Sequence, residues 1–169
     1  MSLHPDFPTS PYAPLIPEQR WFPADEALRD MAGKLIPPLV AKVRQDVFAW
    51  RTKRYAGASA TSAALLRHWF ESEHLTENAD GSLSPFRYYF AQREAVETVI
   101  WLFEVRRARE KYDLLRFDES GAVSSGMFDE DWPRYVLKMA TGAGKTKVLS
   151  LLIAWSFFHK TYETDSALS

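Results

Sequence analysis

The sequence predicts an α/β protein that is mainly helical in its amino-terminal part and carries few strands. Three observations lead there. Apolar residues recur at spacings of three and four through much of the chain. One short apolar run, 135–139, reads as a buried strand and enters a glycine loop followed by an apolar helix. The composition, 46% hydrophobic and 14% aromatic in 169 residues, supplies material for a real core and argues against disorder throughout. Two regions follow: a proline-rich arm with helical segments over 1–84, and an incomplete α/β domain over 85–169.

A formal net charge of -1 argues against a histone-like or tail-like basic protein, although a balanced total can conceal a local basic groove, so charge leaves the partner undecided. No cysteine is present, which removes disulfides, thiolate nucleophiles and cysteine-ligated zinc and is compatible with a reducing compartment. The start lacks a basic segment followed by an apolar one, so no signal peptide is expected. The most apolar stretch, 148–158, is shorter than the roughly 20 residues of a membrane span and contains Ser150 and Ser156. A buried helix and a cytoplasmic protein without a membrane partner are the expectation.

Taken in order, Pro5, Pro8, Pro11, Pro14, Pro17 and Pro23 block both helix interior and sheet ladder, so 1–23 reads as an extended arm. Its aromatic and aliphatic residues, Tyr12 and Trp21 among them, are expected to lie across another part of the protein; a peptide-recognition role for the prolines is the alternative. From Ala24 the spacing of Leu28, Met31, Leu35, Leu39, Val43, Val47 and Trp50 is helical, divided at Pro37 and Pro38. Arg51, Lys53 and Arg54 close it, where cations suit the helix dipole; a DNA-contacting patch is the other reading. After a break at 57–61, Ala63, Leu66, Trp69, Phe70 and Leu75 predict a helix ending before the turn Asn78-Ala79-Asp80-Gly81. His68 and His74 stand six apart, off any common helical face, and all four histidines are read as structural or exposed. Past Pro85 the aromatic run 86–90 leads into a long helix to about Tyr112, with Arg106, Arg107, Arg109 and Lys111 at its end as a solvated terminus or a phosphate-contacting patch. Residues 117–133 read as a loop.

The chemistry concentrates in Ala140-Thr141-Gly142-Ala143-Gly144-Lys145-Thr146, between the strand and the last helix. Glycines at 142 and 144 let backbone N–H groups approach an anion without Cβ interference, and the helix N-terminus adds partial positive charge. Lys145 would reach the β and γ phosphates of ATP, and the Thr146 hydroxyl would ligate the Mg²⁺ bridging them. By average residue frequencies G-x-G-K-T arises by chance in about a few in a thousand chains of this length, so an ordinary glycine turn is the weaker reading. One departure stands out: the strict pattern begins with glycine where this chain has Met139.

Met-Ala-Thr-Gly-Ala-Gly-Lys-Thr resembles motif I of superfamily 2 DEAD/DEAH-type helicases, which commonly replace that first glycine, and in particular the form found in the restriction (Res) subunit of type III restriction enzymes. The run from Phe86 through Gln92 to Val96 looks like the same family's glutamine segment. The resemblance covers about 85–169; the leader is also similar to the amino-terminal region of a large bacterial restriction endonuclease group, with no discrete motif to quote. It implies the start of a RecA-like P-loop domain, ATP and Mg²⁺ as ligands, DNA and a modification subunit as partners of the full motor, Lys145 as catalytic residue, and Gln92 as the side chain that recognises adenine. The family's tyrosine usually abuts the glutamine, whereas Phe90 and Ala91 intervene here, leaving the stacking aromatic open among Phe86, Tyr88 and Phe90.

A motor also needs an acid at a second strand end to hold Mg²⁺, and in this family it is a DExH or DEAD-type box beyond the P-loop. Only 23 residues follow Thr146, with no apolar strand, and Asp129-Glu130-Asp131-Trp132 precedes the loop and reads as part of 117–133. A single strand makes no sheet, and a helix over 145–160 that is apolar almost all round should bury against one. The expectation is therefore a chain truncated before that box, a piece or gene remnant of a helicase or translocase subunit, with an exposed apolar helix face, a tendency to aggregate, weak nucleotide binding and no turnover. The rivals are another P-loop protein, such as a small kinase or GTPase, and a helical interaction module with an incidental glycine loop.

Overall fold

A computed structural model describes residues 10–17, 40–118 and 136–168. The chain divides into two units: one built from 10–15, 60–96 and 139–168, the other from 16–17, 40–59, 97–118 and 136–138. Among the described residues the structure is mixed, mostly helical with one small antiparallel sheet. Among the described residues no helix is long and apolar enough to cross a membrane.

In the first unit, α2 (Ala60–Glu71) packs on α5 (Lys145–Tyr162). Leu66 and Trp69 of α2 and Val148, Leu151 and Trp155 of α5 are buried, each set at helical spacing. A polar bond locks the register of this pair: the Trp155 indole N–H donates to Ser62 Oγ at 2.8 Å, with both side chains buried. The Glu163 carboxylate, just past α5, accepts the Thr61 N–H at 2.9 Å, bringing negative charge to the amino-terminal turn of α2. The helix ends at Glu71, short of the predicted Leu75, because the His74 ring bonds the His68 and Trp69 carbonyls at 2.7 and 3.2 Å and so caps it from outside.

The chain then forms a hairpin that sequence reading did not foresee, β1 (His74–Glu77) against β2 (Leu83–Phe86), pairing His74 with Phe86 and Glu77 with Leu83. Its turn falls on the predicted tetrapeptide. The Asp80 carboxylate accepts the Ser82 hydroxyl at 2.6 Å and the Ser82 N–H at 2.9 Å, which in that order hold its pKa below the ordinary 3.8. The described part of the arm in this unit, 10–15, meets it as expected, the Pro11 carbonyl accepting the Phe90 N–H at 2.8 Å and the Tyr12 ring lying 5.4 Å from that of Tyr89, whereas 1–9 and 18–23, Trp21 among them, lie outside the described residues.

In the second unit, α1 (Val40–Thr52) buries Val43, Val47 and Trp50. The earlier part of the predicted helical stretch, 24–39, lies outside the described residues, as do 119–135 with the acidic tetrapeptide. Glu97, in the carboxyl-terminal half of α3 (Phe90–Ile100), is fully buried. Its carboxylate accepts Arg51 Nε at 2.8 Å and Nη2 at 2.5 Å, and the buried Tyr55 hydroxyl at 2.8 Å. The long helix predicted to Tyr112 is interrupted. One wide π turn (Trp101–Val105) follows α3, and Arg107 at φ 52° closes it, with the Ala108 N–H bonding the Leu102 carbonyl. A short α4 (Lys111–Leu115) comes next, its start held by the Asp113 carboxylate, which accepts the N–H groups of Arg109 and Glu110. Arg106 lies over the rings of Trp101 and Phe117 and Arg109 over Phe103, so these cations of the basic cluster rest on aromatic faces.

The strand expected over 135–139 does not form in its described part: 136–140 is irregular, and Val136 is 88% exposed. An apolar run becomes a strand only with a neighbour to accept its ladder, and the described sheet contains β1 and β2 alone.

Candidate functional site

The glycine loop sits at the amino-terminal end of α5, with Gly144 as the residue before the first helical turn. Gly142 and Gly144 both have φ 81°, left-handed backbone that a side chain would strain. This alternation turns the chain within 140–144 through one internal bond, from the Ala143 N–H to the Ala140 carbonyl at 3.2 Å. The Gly144 carbonyl then accepts the N–H groups of Lys147 and Val148, at 3.0 and 3.2 Å, which starts the helix. The amides of Gly142, Gly144, Lys145 and Thr146 have no hydrogen bond among the described residues. Helix geometry predicts this for the first amides of α5, and it gathers four donors and the positive end of an 18-residue helix in one short stretch.

Lys145 folds back over the loop. Its ammonium donates to the carbonyls of Met139 and Ala140, both at 3.1 Å, on an exposed side chain. Thr146, likewise exposed, stands in the first turn. The residues 140–146 singled out in the sequence thus form one loop and helix start, whose donors could face an anion. Among the described residues no three histidine or acidic side chains group as a metal site of their own.

Gln92 joins this loop from a distance of 51 residues: its Nε2 donates to the Ala143 carbonyl at 3.0 Å, and its Oε1 accepts the Tyr89 N–H at 3.0 Å. It is 7% exposed. Of the three aromatic residues left open for base stacking, Phe90 is buried in the core. Tyr88 packs edge-on to Phe70 and Phe86, and burial raises the pKa of its hydroxyl. Phe86 faces α5, where the Lys147 ammonium lies 5.6 Å from its ring centre. Lys147 was not singled out from the sequence, although its place two residues beyond Lys145 was a usable signal. His159, read as structural, is buried and bonded to Ser166 at 2.8 Å.

No family model, no curated protein and no solved structure matches the chain.

Proposed function

We propose that residues 140–146 bind the phosphates of Mg-ATP, and that the chain is the ATP-binding front of a DNA helicase or translocase subunit of a restriction system. The observation that carries the binding reading is the loop itself: left-handed glycines at 142 and 144, amides at Gly142, Gly144, Lys145 and Thr146 without hydrogen bonds among the described residues, and the Lys145 ammonium folded over them. A triphosphate takes up these donors, drawing Lys145 from the carbonyls of Met139 and Ala140 to the β and γ oxygens. Thr146 would hold the Mg²⁺, whose charge offsets that of the phosphates. The motor assignment is supported by the motif resemblance alone, and DNA and a modification subunit enter as partners on that basis.

Turnover is not part of the proposal. In P-loop motors an acid at the end of a second strand orients Mg²⁺ and water, whereas the described sheet is an antiparallel pair in a hairpin. Calorimetric titration of Mg-ATP into the chain tests the reading. Lys145→Ala is expected to weaken binding about tenfold or more, the value of a charge-assisted contact. Equal affinity in the wild type and the variant, or none in either, returns the chain to a helical interaction module with an incidental glycine loop. Sustained ATP hydrolysis at saturating substrate would contradict the binding-only reading.

A further inference from the structure

The peptide joining Ala143 to Gly144 is planar and trans, so its C=O and N–H point in opposite directions. Its carbonyl faces Gln92 and accepts the amide hydrogen of that side chain at 3.0 Å. The Gly144 N–H is therefore directed away from Gln92. Gln92 is itself oriented: it occupies the third position of α3, and its Oε1 reaches back to the Tyr89 N–H just before the helix, as in half of a capping box. With the oxygen held by the helix start, the NH₂ group is the end that meets the loop. Glycine at 144 permits the approach, since a Cβ there would overlap Nε2 of Gln92.

We propose that Gln92 is a positioning residue of the anion-binding loop: it pins the Ala143–Gly144 peptide so that the Gly144 amide faces the phosphate, and it sets affinity for linear polyphosphates whatever base they carry. The inference rests on the phosphate-binding reading above. It replaces the adenine recognition that the family resemblance implies with preorganisation of the loop. A donor held in place binds an anion more strongly than one that must first be ordered, because the ordering is done during folding.

The test titrates the full chain and Gln92→Met with Mg-ATP, Mg-GTP and inorganic tripolyphosphate, and follows the Gly144 amide by nuclear magnetic resonance. Methionine keeps the length of the side chain and removes both bonds. All three ligands should weaken by a common factor of about ten, leaving the ATP to GTP ratio unchanged. The Gly144 resonance should move on adding tripolyphosphate to the wild type and move far less in the variant, while Lys145 still responds. Loss of fold without a positioning role would not separate those two amides. Should Gln92→Met fail to fold, Gln92→Glu keeps the acceptor for Tyr89 and lacks the donor; its added charge weakens every polyphosphate, so it is judged by the Gly144 resonance alone. Weakening of ATP with GTP and tripolyphosphate untouched would identify base reading and overturn the proposal, as would unchanged affinities with the Gly144 response intact. A wild type that binds none of the three removes the phosphate-loop reading itself.

Discussion

Replacing Glu97 by leucine should unfold the second unit under mild conditions. The Glu97 side chain is 0% exposed and that of Arg51 9%, so both charges of the pair are out of water. The carboxylate accepts Arg51 Nε on both of its oxygens, Arg51 Nη2 on one, and the buried Tyr55 hydroxyl. Removing it leaves a guanidinium and a phenol against an apolar side chain, which costs about 3–5 kcal/mol for breaking one half of a buried pair. That is a large part of the roughly 5–15 kcal/mol by which a domain is stable. Tyr55 adds to the effect, since it holds φ 63° and such backbone persists only where its surroundings fix it. Urea unfolding followed by tryptophan fluorescence is the assay, as Trp50 and Trp101 both lie in this unit. Arg51→Met combined with Glu97→Leu removes both charges and should recover most of the loss, because well-packed apolar replacements of a buried pair are often neutral. A single-variant loss below about 1 kcal/mol would refute the argument, and so would a double variant no better than the single.

Ser62→Ala removes the acceptor of the buried Trp155 indole N–H and should lower stability by about 1–3 kcal/mol in thermal melts, with a change in near-ultraviolet dichroism from the indole. The Asp80 carboxyl is held below 3.8, first by the Ser82 hydroxyl and then by the Ser82 N–H. An acid held down contributes stability above its ordinary value and loses it as pH falls through the folded one, so the Ser82 amide resonance should titrate below pH 3.8 and should stop doing so in Asp80→Ala. Gly142→Ala meets no atom within 4 Å and suffers only backbone strain, whereas Gly144→Ala suffers the same strain and displaces Gln92. Tripolyphosphate affinity should therefore fall further in Gly144→Ala, and in a Gln92→Ala background the two alanine variants should become alike.

What the sequence disclosed follows from the range of the forces involved. The helix α5 was legible because a left-handed glycine start and an apolar run are local signals, and it spans Lys145–Tyr162 against the 145–160 expected. The turn at 78–81 was legible for the same reason. Its strands were not: Leu75 and Leu83 are exposed, Pro85 stands in the second strand, and no alternation marks either. The break after Ile100 has no proline or glycine to announce it, since a π turn and a left-handed arginine end the helix. The run 135–139 failed in the opposite sense, its composition suiting a strand while the ladder that makes one is a property of a neighbour. In the site, residues 140–146 were readable as a unit. Gln92 was singled out only through a family analogy, which implied a different role, because its partner in the loop lies 51 residues away and is a backbone carbonyl with no residue signature.

The same distinction of range bears on why the phosphate binding proposed for the loop does not require the rest of a motor domain. Everything that shapes the loop is close in space and drawn from few residues: the two left-handed glycines, the Lys145 ammonium on the carbonyls of Met139 and Ala140, and the Gln92 amide on that of Ala143. The helix behind it is seated on α2 through the Trp155–Ser62 bond and the buried Val148 and Leu151. None of this calls for a parallel sheet. Burial of the other side of α5 would call for one in a RecA-like domain, and there Leu149, Ile153 and Phe157, one helical turn apart, are each more than half exposed. Anion affinity should accordingly survive charged substitutions at Ile153 and Phe157, which touch no loop donor, while adhesion between molecules through this stripe should fall. Light scattering and tripolyphosphate titration on one double variant, Ile153→Glu with Phe157→Glu, read both quantities. Parallel loss of the two would mean that the exposed face, and not the loop alone, sustains the anion site.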